Sequence, residues 1–465
     1  VHKWRLYGGR DGPARRAGAG RLLRFPAVPE PSNALARGRQ LVYMVLAGVV
    51  IVPGVVVSRM GHVGAPDAAL ALLFGLAIIG AAFMLSWAAE AAQLDISAGL
   101  AIAVLAFIAV LPEYAVDLVF ALKGGHDFAA HGPTCQSIAD KLAGHDSSCA
   151  LALANMTGSN RLLIGLGWTM VVFVAWWQYR KRGTPVDSIS LERSHSVELS
   201  FLSVATAYSL TLPLKRTITL FDAAILVSLF VAYVVRISKA PSEEPHLVGP
   251  AALIGTFTTF RRRAAVVGLF VVAALVILAC AEHFAEALVN TGKTFGISEF
   301  FLVQWLAPLA SEAPELLVAG LYAWRLNTNA GLGTLVSSKV NQWTLLVGTL
   351  PVAFAISSGS LHGLPIIARQ REEVLLTAAQ SLFAVATLCN LSMSLREAWF
   401  LFGLFWAQFL TGAFVPAHLH GVELVSFSVA YLLLAARLVF RDRAALPRLV
   451  RDGFRSSYAE LSGGG

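Results

Sequence analysis

Two glutamates, Glu113 and Glu315, each follow a proline (Pro112, Pro314) inside a long apolar stretch. A carboxylate deep in a membrane helix costs about 2.5–3.5 kcal/mol on insertion scales, and it persists where it faces a cavity, a partner or an ion. The plain alternative for each is a protonated, hydrogen-bonded structural glutamate. Proline cannot donate to the carbonyl four residues back, so the carbonyls of Ile108 and Ala310 are freed. A freed carbonyl beside a carboxylate is a pair of cation ligands; a packing kink is the alternative. Asp117 lies one turn beyond Glu113, where it either shares that face or meets the outer interface. Glu312 lies three residues before Glu315, on one face with it. Carboxylates this close do not all stay ionised without a cation or proton between them.

Each Pro-Glu stretch is followed by a polar cluster inside an apolar span. These are Asn155-Met156-Thr157-Gly158-Ser159-Asn160 and Ser337-Ser338-Lys339-Val340-Asn341-Gln342. Calcium and sodium prefer carboxylate, amide, hydroxyl and carbonyl oxygens. The candidate cation-binding set is therefore Glu113, Glu315, Glu312, Ser311, Asn155, Ser159, Asn160, Ser338, Asn341 and Gln342. Thr157 and Ser337 serve equally well as helix–helix hydrogen-bonding residues. Arg161 and Lys339 sit in or beside the clusters and would repel a cation. Each either neutralises a carboxylate when the ion is absent or snorkels to an interface. With Asp117 they form the proton-carrying or charge-compensating candidates. An anion pathway is the lesser reading of the two basic residues. His126, His131 and His145 share one loop with Asp127, Asp140 and Asp146, without metal-ligand spacing. No nucleotide-binding loop, zinc signature or nucleophile motif appears, and no enzyme activity or cofactor is expected.

The elements that position these residues follow from composition. Of 465 residues 56% are apolar and 14% charged, whereas a soluble domain averages about 25% charged. Stretches of about 20 apolar residues recur, long enough to cross the hydrocarbon. Backbone groups in lipid must be satisfied internally, and the runs lack period-two alternation, so the spans are helices. About twelve are predicted, near 41–58, 68–90, 96–122, 150–177, 197–212, 219–236, 264–287, 298–324, 331–356, 373–391, 398–414 and 424–439. The net charge of +8 collects at the N-terminus, Arg180–Arg182, Arg261–Arg263 and beyond Arg437. These segments read as cytoplasmic, not as a nucleic-acid surface. Both termini are placed inside, and lipid and inorganic cations are the expected partners. No cleavable signal peptide is visible, and residues 1–40 read as a basic tail. Cys280 and Cys389 lie in apolar runs. Cys135 and Cys149 flank one polar loop, either as a disulfide in an oxidising compartment or as two free thiols.

The two halves look related. Ala89-Glu90-Ala91, Ile96-Ser97 and Leu111-Pro112-Glu113 correspond to Ala285-Glu286-Ala287, Ile297-Ser298 and Ala313-Pro314-Glu315. Glu90 and Glu286 read as structural residues at the repeat ends. The Pro-Glu spans run in opposite directions across the membrane, so the repeats are inverted, as in many secondary transporters.

These residues resemble the cation/calcium exchanger superfamily, which includes the sodium/calcium exchangers. That family carries two inverted repeats, each with a Gly-Thr-Ser-x-Pro-Glu and a later Asn-x-x-Gly-Ser-Asn signature. The resemblance covers roughly residues 68–415. It implies that Glu113 and Glu315 are the central ion-binding acids. Ser311 falls at the family's threonine position and Glu312 at its serine position; Ala109 and Val110 take those places in the first repeat. Ser159 and Ser338 align with the serine of the second signature. Gln342 falls where the family often has an acidic or amide ligand. Leu163 matches it in the first repeat, unless a short deletion lets Asn160 serve. Lys339 replaces the signature asparagine. The first-repeat loop between the signatures is longer than the family norm. These departures imply fewer bound cations than multi-sodium sites need.

The expected fold is all-α and polytopic, two inverted five-helix repeats with about 10–12 transmembrane helices. A tail (1–40) and an extra helix (41–60) precede the first repeat (68–237). A linker (238–263), the second repeat (264–415), a last extra helix (421–440) and a tail (441–465) follow. The expected function is a secondary cation antiporter, moving sodium or calcium against sodium or protons by alternating access. The alternatives are an anion or organic solute carrier using Arg161 and Lys339, and a membrane ion sensor that transports nothing.

Overall fold

The computed structural model describes residues 33–60, 64–95, 111–240, 247 and 249–462. Most of the basic N-terminal tail, Ser97, Ile108, Ala109, Val110 and part of the linker lie outside the described residues. The longer helices are α1 (Asn33–Met60), α2 (Asp67–Ala92), α3 (Leu111–His131), α4 (Ser148–Leu162), α5 (Thr169–Lys181), α6 (Ser196–Ser209) and α7 (Leu220–Ile237). The second half supplies α8 (Thr259–Phe295), α9 (Glu299–Trp324), α10 (Thr328–Asn341), α11 (Val347–Ser358), α12 (Ala368–Thr387), α13 (Leu395–Phe414) and α14 (His420–Arg441). A short α15 (Leu446–Phe454) follows. π-helical turns join α4 to α5 and α10 to α11, so each pair crosses as one span. Each predicted span thus overlaps helix where it is described, with 197–212 and 373–391 running past the helix ends at Ser209 and Thr387.

Eight of these stretches are long and apolar enough to cross a membrane by composition alone. The others, α3, α9, α12 and α13, carry acids, amides and indoles that lower their hydropathy. Of these, α3, α9 and α12 are largely sheltered by neighbours, whereas α13 keeps an exposed apolar face at Trp399, Phe400 and Leu410. Lipid exposure is clearest on α1. Leu41, Val45, Val49, Val52 and Val56 recur at helical spacing, and each is at least 50% exposed. On a protein in water such a face would be an apolar patch too large for a monomer.

Connections at the two ends of the bundle fix the direction of each helix. At one end Ser188–Ser190 pairs antiparallel with Ser392–Ser394. At the same end Arg262 binds Asp95 at 2.6 Å and Arg441 binds Glu397 at 2.6 Å. This basic end also holds Arg180, Lys181 and Arg182. At the other end Cys135 and Cys149 form a disulfide. There His145 meets Glu299 at 2.7 Å, and Asp146 accepts from the Phe300 backbone at 2.9 Å. Thr217–Ile218 pairs with Leu364–Pro365 at this disulfide end. These ties make α2 run toward the basic end and α8 away from it. Likewise α3 runs toward the disulfide end and α9 away from it. The architecture is therefore all-α and polytopic, with two inverted five-helix repeats, α2–α7 and α8–α13, flanked by α1 and α14.

The boundaries differ in three places. Helix α1 begins at Asn33, inside the predicted tail; α3 continues to His131, so His126, Asp127 and His131 are helical and not in a loop; and α8 starts early. Helix α8 begins at Thr259, so the basic triplet Arg261–Arg263 lies in its first turns and not in a loop. The reason is Asp95, which Arg262 grips through two nitrogens and Arg263 joins at 3.2 Å.

Candidate cation-binding site

The two Pro-Glu helices do not pack chiefly on their own repeats. Helix α3 runs parallel to α11, and α9 runs parallel to α4. Glycine permits both close approaches. A Cβ on Gly158 would sit 1.7 Å from the Gln304 carbonyl oxygen, and one on Gly125 would sit 2.6 Å from that of Phe354. Each polar cluster is thereby pressed against the other half's Pro-Glu helix. The π-helical turns Leu163–Trp168 and Gln342–Leu346 come immediately after or at the end of the clusters. Such turns widen a helix locally and are frequent at functional sites.

The carboxylates meet at this crossing. Glu113 and Glu312 are fully buried, and the Gln342 amide spans them. Its nitrogen lies 3.2 Å from Glu113 Oε2 and 3.0 Å from Glu312 Oε1. The Ser159 hydroxyl lies beside Glu312. Glu315 accepts from Ser338 Oγ at 2.6 Å. Ser311, one turn back on α9, donates to the carbonyls of Ala307 and Pro308. Pro314 leaves the Ala310 carbonyl without its helical donor. Asp117 is buried one turn along α3, where Asn155 Nδ2 donates to it at 2.7 Å. Asp117 therefore faces the bundle interior and not the outer interface.

Acceptors outnumber donors here. Gln342 Oε1, Asp117 Oδ2 and Asn155 Oδ1 are all buried and receive no hydrogen bond from a described residue. Buried acceptors are ordinarily satisfied. This set calls for protons or an oxygen-loving cation. Among the described residues no three carboxylate, imidazole or thiolate side chains converge to hold a metal ion by themselves. Amide, hydroxyl and carbonyl oxygens must complete any cation shell.

The two basic candidates separate. Lys339 is fully buried, and its ammonium donates to the Asn160 backbone oxygen at 2.8 Å and to Asn160 Oδ1 at 2.6 Å. It also lies 4.9 Å above the Trp343 ring and acts electrostatically on Glu312 and Glu113. The Asn160 amide nitrogen in turn donates to Met156, so this side chain is committed to protein partners. Arg161 points away from the cluster. It pairs with Glu373 at 2.8 Å and contacts Gln408. Neither basic residue snorkels, because both are sealed inside the bundle.

A cavity of about 370 Å³ opens at the basic end and reaches Glu315. Ser311, Ser338 and Asn341 line its floor; Glu90, His195 and Glu198 line its walls. Glu113 and Glu312 lie behind Glu315. Glu286, the counterpart of Glu90, instead pairs with Lys123 at 2.7 Å at the disulfide end. His131, Asp127, Asp140, His145 and Asp146 line a separate vestibule there of about 480 Å³. Sequence reasoning singled out Glu90 only as a structural residue and missed His195, Glu198 and Glu373, because they stand at span ends, where charge is unremarkable. His195 did carry one signal, a histidine and a glutamate spaced i,i+3 at a helix start.

The sodium/calcium exchanger protein family profile matches residues 67–239 and 265–415, which leaves α1 and α14 outside it. The crystal structure of the H+/Ca2+ exchanger CAX is 39% identical, with a TM-score of 0.78, covering 92% of this chain and 99% of that one. A selenium-substituted Ca2+/H+ antiporter protein, YfkE, shares the fold at 16% identity and a TM-score of 0.54, covering 85% of this chain and 100% of that one. No match was found among curated proteins. With its inverted Pro-Glu repeats and buried carboxylates, the chain belongs to the sodium/calcium exchanger family of integral membrane transporters.

Proposed function

We propose that the chain is a secondary antiporter that exchanges calcium for protons by alternating access. The observation that carries this reading is the Glu113–Gln342–Glu312 bridge with Glu315 beside it, an acceptor-rich cluster balanced by one fixed ammonium. With Asp117 holding a proton, Glu113, Glu312 and Glu315 against Lys339 leave a charge of minus two when all three are ionised. One divalent cation or two protons neutralise it equally. That equivalence suits an exchange in which either occupant makes the buried site neutral. A single guest charge would leave a net charge at the membrane midplane, which is costly.

Calcium would take oxygens from Glu113, Glu315 and Glu312, with Ser311, Ser338, Asn341 and the Gln342 carbonyl as further ligands. Rotating the Gln342 amide would exchange its donor for its acceptor. The same side chain could thus bridge protonated carboxyls and ligate a metal. Ser159, Asn155 and Asp117 would extend the oxygen-lined path toward the disulfide end. Lys339, held by Asn160, would replace one bound cation. The related H+/Ca2+ exchanger supports protons as the counter-ion over sodium. The basic end is proposed to face the cytoplasm by the positive-inside rule, in the cell membrane with both termini inside. The cavity at Glu315 then opens inward.

The anion-carrier reading has less support, since neither Arg161 nor Lys339 lines the cavity at Glu315. The decisive test is radiolabelled calcium flux in proteoliposomes under a pH gradient, for the unmodified chain, Glu113→Gln and Glu315→Gln. Loss of flux in both variants is expected. Unimpaired flux in both would sink the proposal, and calcium binding without flux in the unmodified chain would select the sensor reading.

A further inference from the structure

A second buried polar network lies on the far side of α4 from the cation cluster. Arg161, on α4, donates to Glu373 on α12 at 2.8 Å and to the side-chain amide oxygen Oε1 of Gln408 on α13. The Gln408 amide nitrogen donates to Glu423 on α14 at 3.0 Å. Gln304, on α9, donates to Glu373 at 3.0 Å and meets Thr157 at 3.3 Å. Gln380 caps the Arg161 backbone carbonyl, and the Trp305 ring lies 5.0 Å from the guanidinium. This network joins both repeats to α14, which the family match does not cover.

The network holds one carboxylate too many for its cation. Arg161 serves Glu373. Glu423 is buried, only 8% exposed, and among the described residues it receives the neutral amide of Gln408 alone. Its Oε2 is buried and has no hydrogen-bond donor among the described residues. A buried carboxylate without a cation carries a desolvation penalty, and a proton removes it. Among the described residues no cation forms an ion pair with Glu423, and the pull of Arg161 reaches it only through space. Arg161 is already paired and Glu373 repels. Arg369 belongs to α12 and lies 4.0 Å from Asp146. Glu372 stands 3.0 Å from where a Cβ on Gly421 would be, adding another negative charge beside the start of α14. His420 is one turn before Glu423 on the same helix. A small cavity of about 30 Å³, bordered by Arg369, His420, Gln408, Gly412 and Glu423, lies at this place. That is room for about one water molecule. It sits toward the disulfide end.

We propose that Glu423 is a second proton-binding site, separate from the cation-binding carboxylates and loaded from the disulfide end. The proton comes from solvent through the cavity at His420 and returns the same way; no other bond forms or breaks. Deprotonated Glu423 competes for Arg161 through Gln408 and loosens the hold on Glu373. Glu373 shares Gln304 with Thr157, at the crossing where Gly158 meets α9. Protonation at Glu423 therefore biases the contact between the first polar cluster and the second Pro-Glu helix. The proton site stands by itself, whereas its effect on transport rests on the exchanger reading.

Two measurements separate these claims. Infrared difference spectra of the purified full-length protein, taken between acidic and alkaline pH, should contain a carboxylic-acid band that Glu423→Gln removes. Gln408→Met should keep that band and move its pH midpoint. A spectrum unchanged in both variants overturns the proposal. In proteoliposomes, calcium flux should depend on pH at the disulfide end, and Glu423→Gln should flatten that dependence several-fold while calcium affinity is kept. A Glu423→Gln profile that superimposes on the original overturns the coupling. If the unmodified chain moves no calcium under any gradient, the exchanger reading fails, and the infrared result still decides Glu423.

Discussion

Gln342 reaches across the repeats to Glu113, its amide nitrogen 3.2 Å from one carboxylate oxygen and 3.3 Å from the other. The same nitrogen holds Glu312. One neutral side chain thus joins the acids of both Pro-Glu helices. Gln342→Leu removes the shared donor and one oxygen ligand together. A hydrogen bond to a charged group is worth about 1.5–3 kcal/mol, so calcium affinity should fall about 10- to 100-fold. Isothermal titration of the purified variant measures it. Wild-type affinity would show that Gln342 only packs.

Much of this site was legible in the sequence. Glu113, Glu315 and the polar clusters stand out because a membrane interior tolerates such residues only where they are used. The helical spans were legible for the same reason. What was hidden is pairing across the halves. Nothing in the spacing around Arg161 announces Glu373, which lies 212 positions away. Nor does Lys339 reveal that it would be anchored on Asn160, 179 positions away, and not on a carboxylate. Partners brought together by inverted packing leave no local pattern. Helix α8 also starts earlier than its apolar run, because Asp95 draws the preceding arginines into the first turns.

The crossing of α4 and α9 predicts a sharp contrast among glycines. Gly158→Ala would put a methyl 1.7 Å from a backbone carbonyl, which no side-chain rotation relieves. Overpacking costs about 1–3 kcal/mol or more, and the helix pair should separate or the protein fail to fold. Gly125→Ala, at 2.6 Å from the Phe354 carbonyl, should be milder in the same direction. Gly268→Ala, on α8 with nothing within 4 Å, should stabilise by about 0.5–1 kcal/mol. Thermal unfolding in detergent ranks the three. Equal melting temperatures for Gly158→Ala and Gly268→Ala would refute the close crossing.

Lys339 sets the charge of the cluster. Lys339→Met removes the ammonium and leaves Asn160 Oδ1 without its donor. The three carboxylates then carry minus three, so one calcium leaves the loaded site charged. Exchange by the unmodified chain should be insensitive to membrane potential, whereas exchange by the variant should follow it. Potassium-diffusion potentials of either sign across proteoliposomes provide the readout. Identical potential dependence in both proteins would mean that Lys339 lies outside the charge balance.

The tie at the basic end gives a pH-dependent prediction. The Arg262 guanidinium, bonded to both Asp95 oxygens, holds this carboxyl below its ordinary range against the opposing effect of partial burial, and Arg263 adds to the hold. Asp95 follows α2 outside its membrane-spanning part. A carboxylate whose folded pKa is depressed stabilises the fold above its unfolded pKa, near 3.8. That stabilisation is lost as pH falls through the lower folded value. Solvent screening limits such a pair to about 1 kcal/mol or less. Asp95→Asn should therefore melt slightly below the unmodified protein at neutral pH. The gap should close as pH drops below about 4, and high salt should narrow it at any pH. Melting curves across that range provide the check. A gap that persists in acid would mean that Asp95 acts through packing, and that the α2–α8 junction is held without the charge.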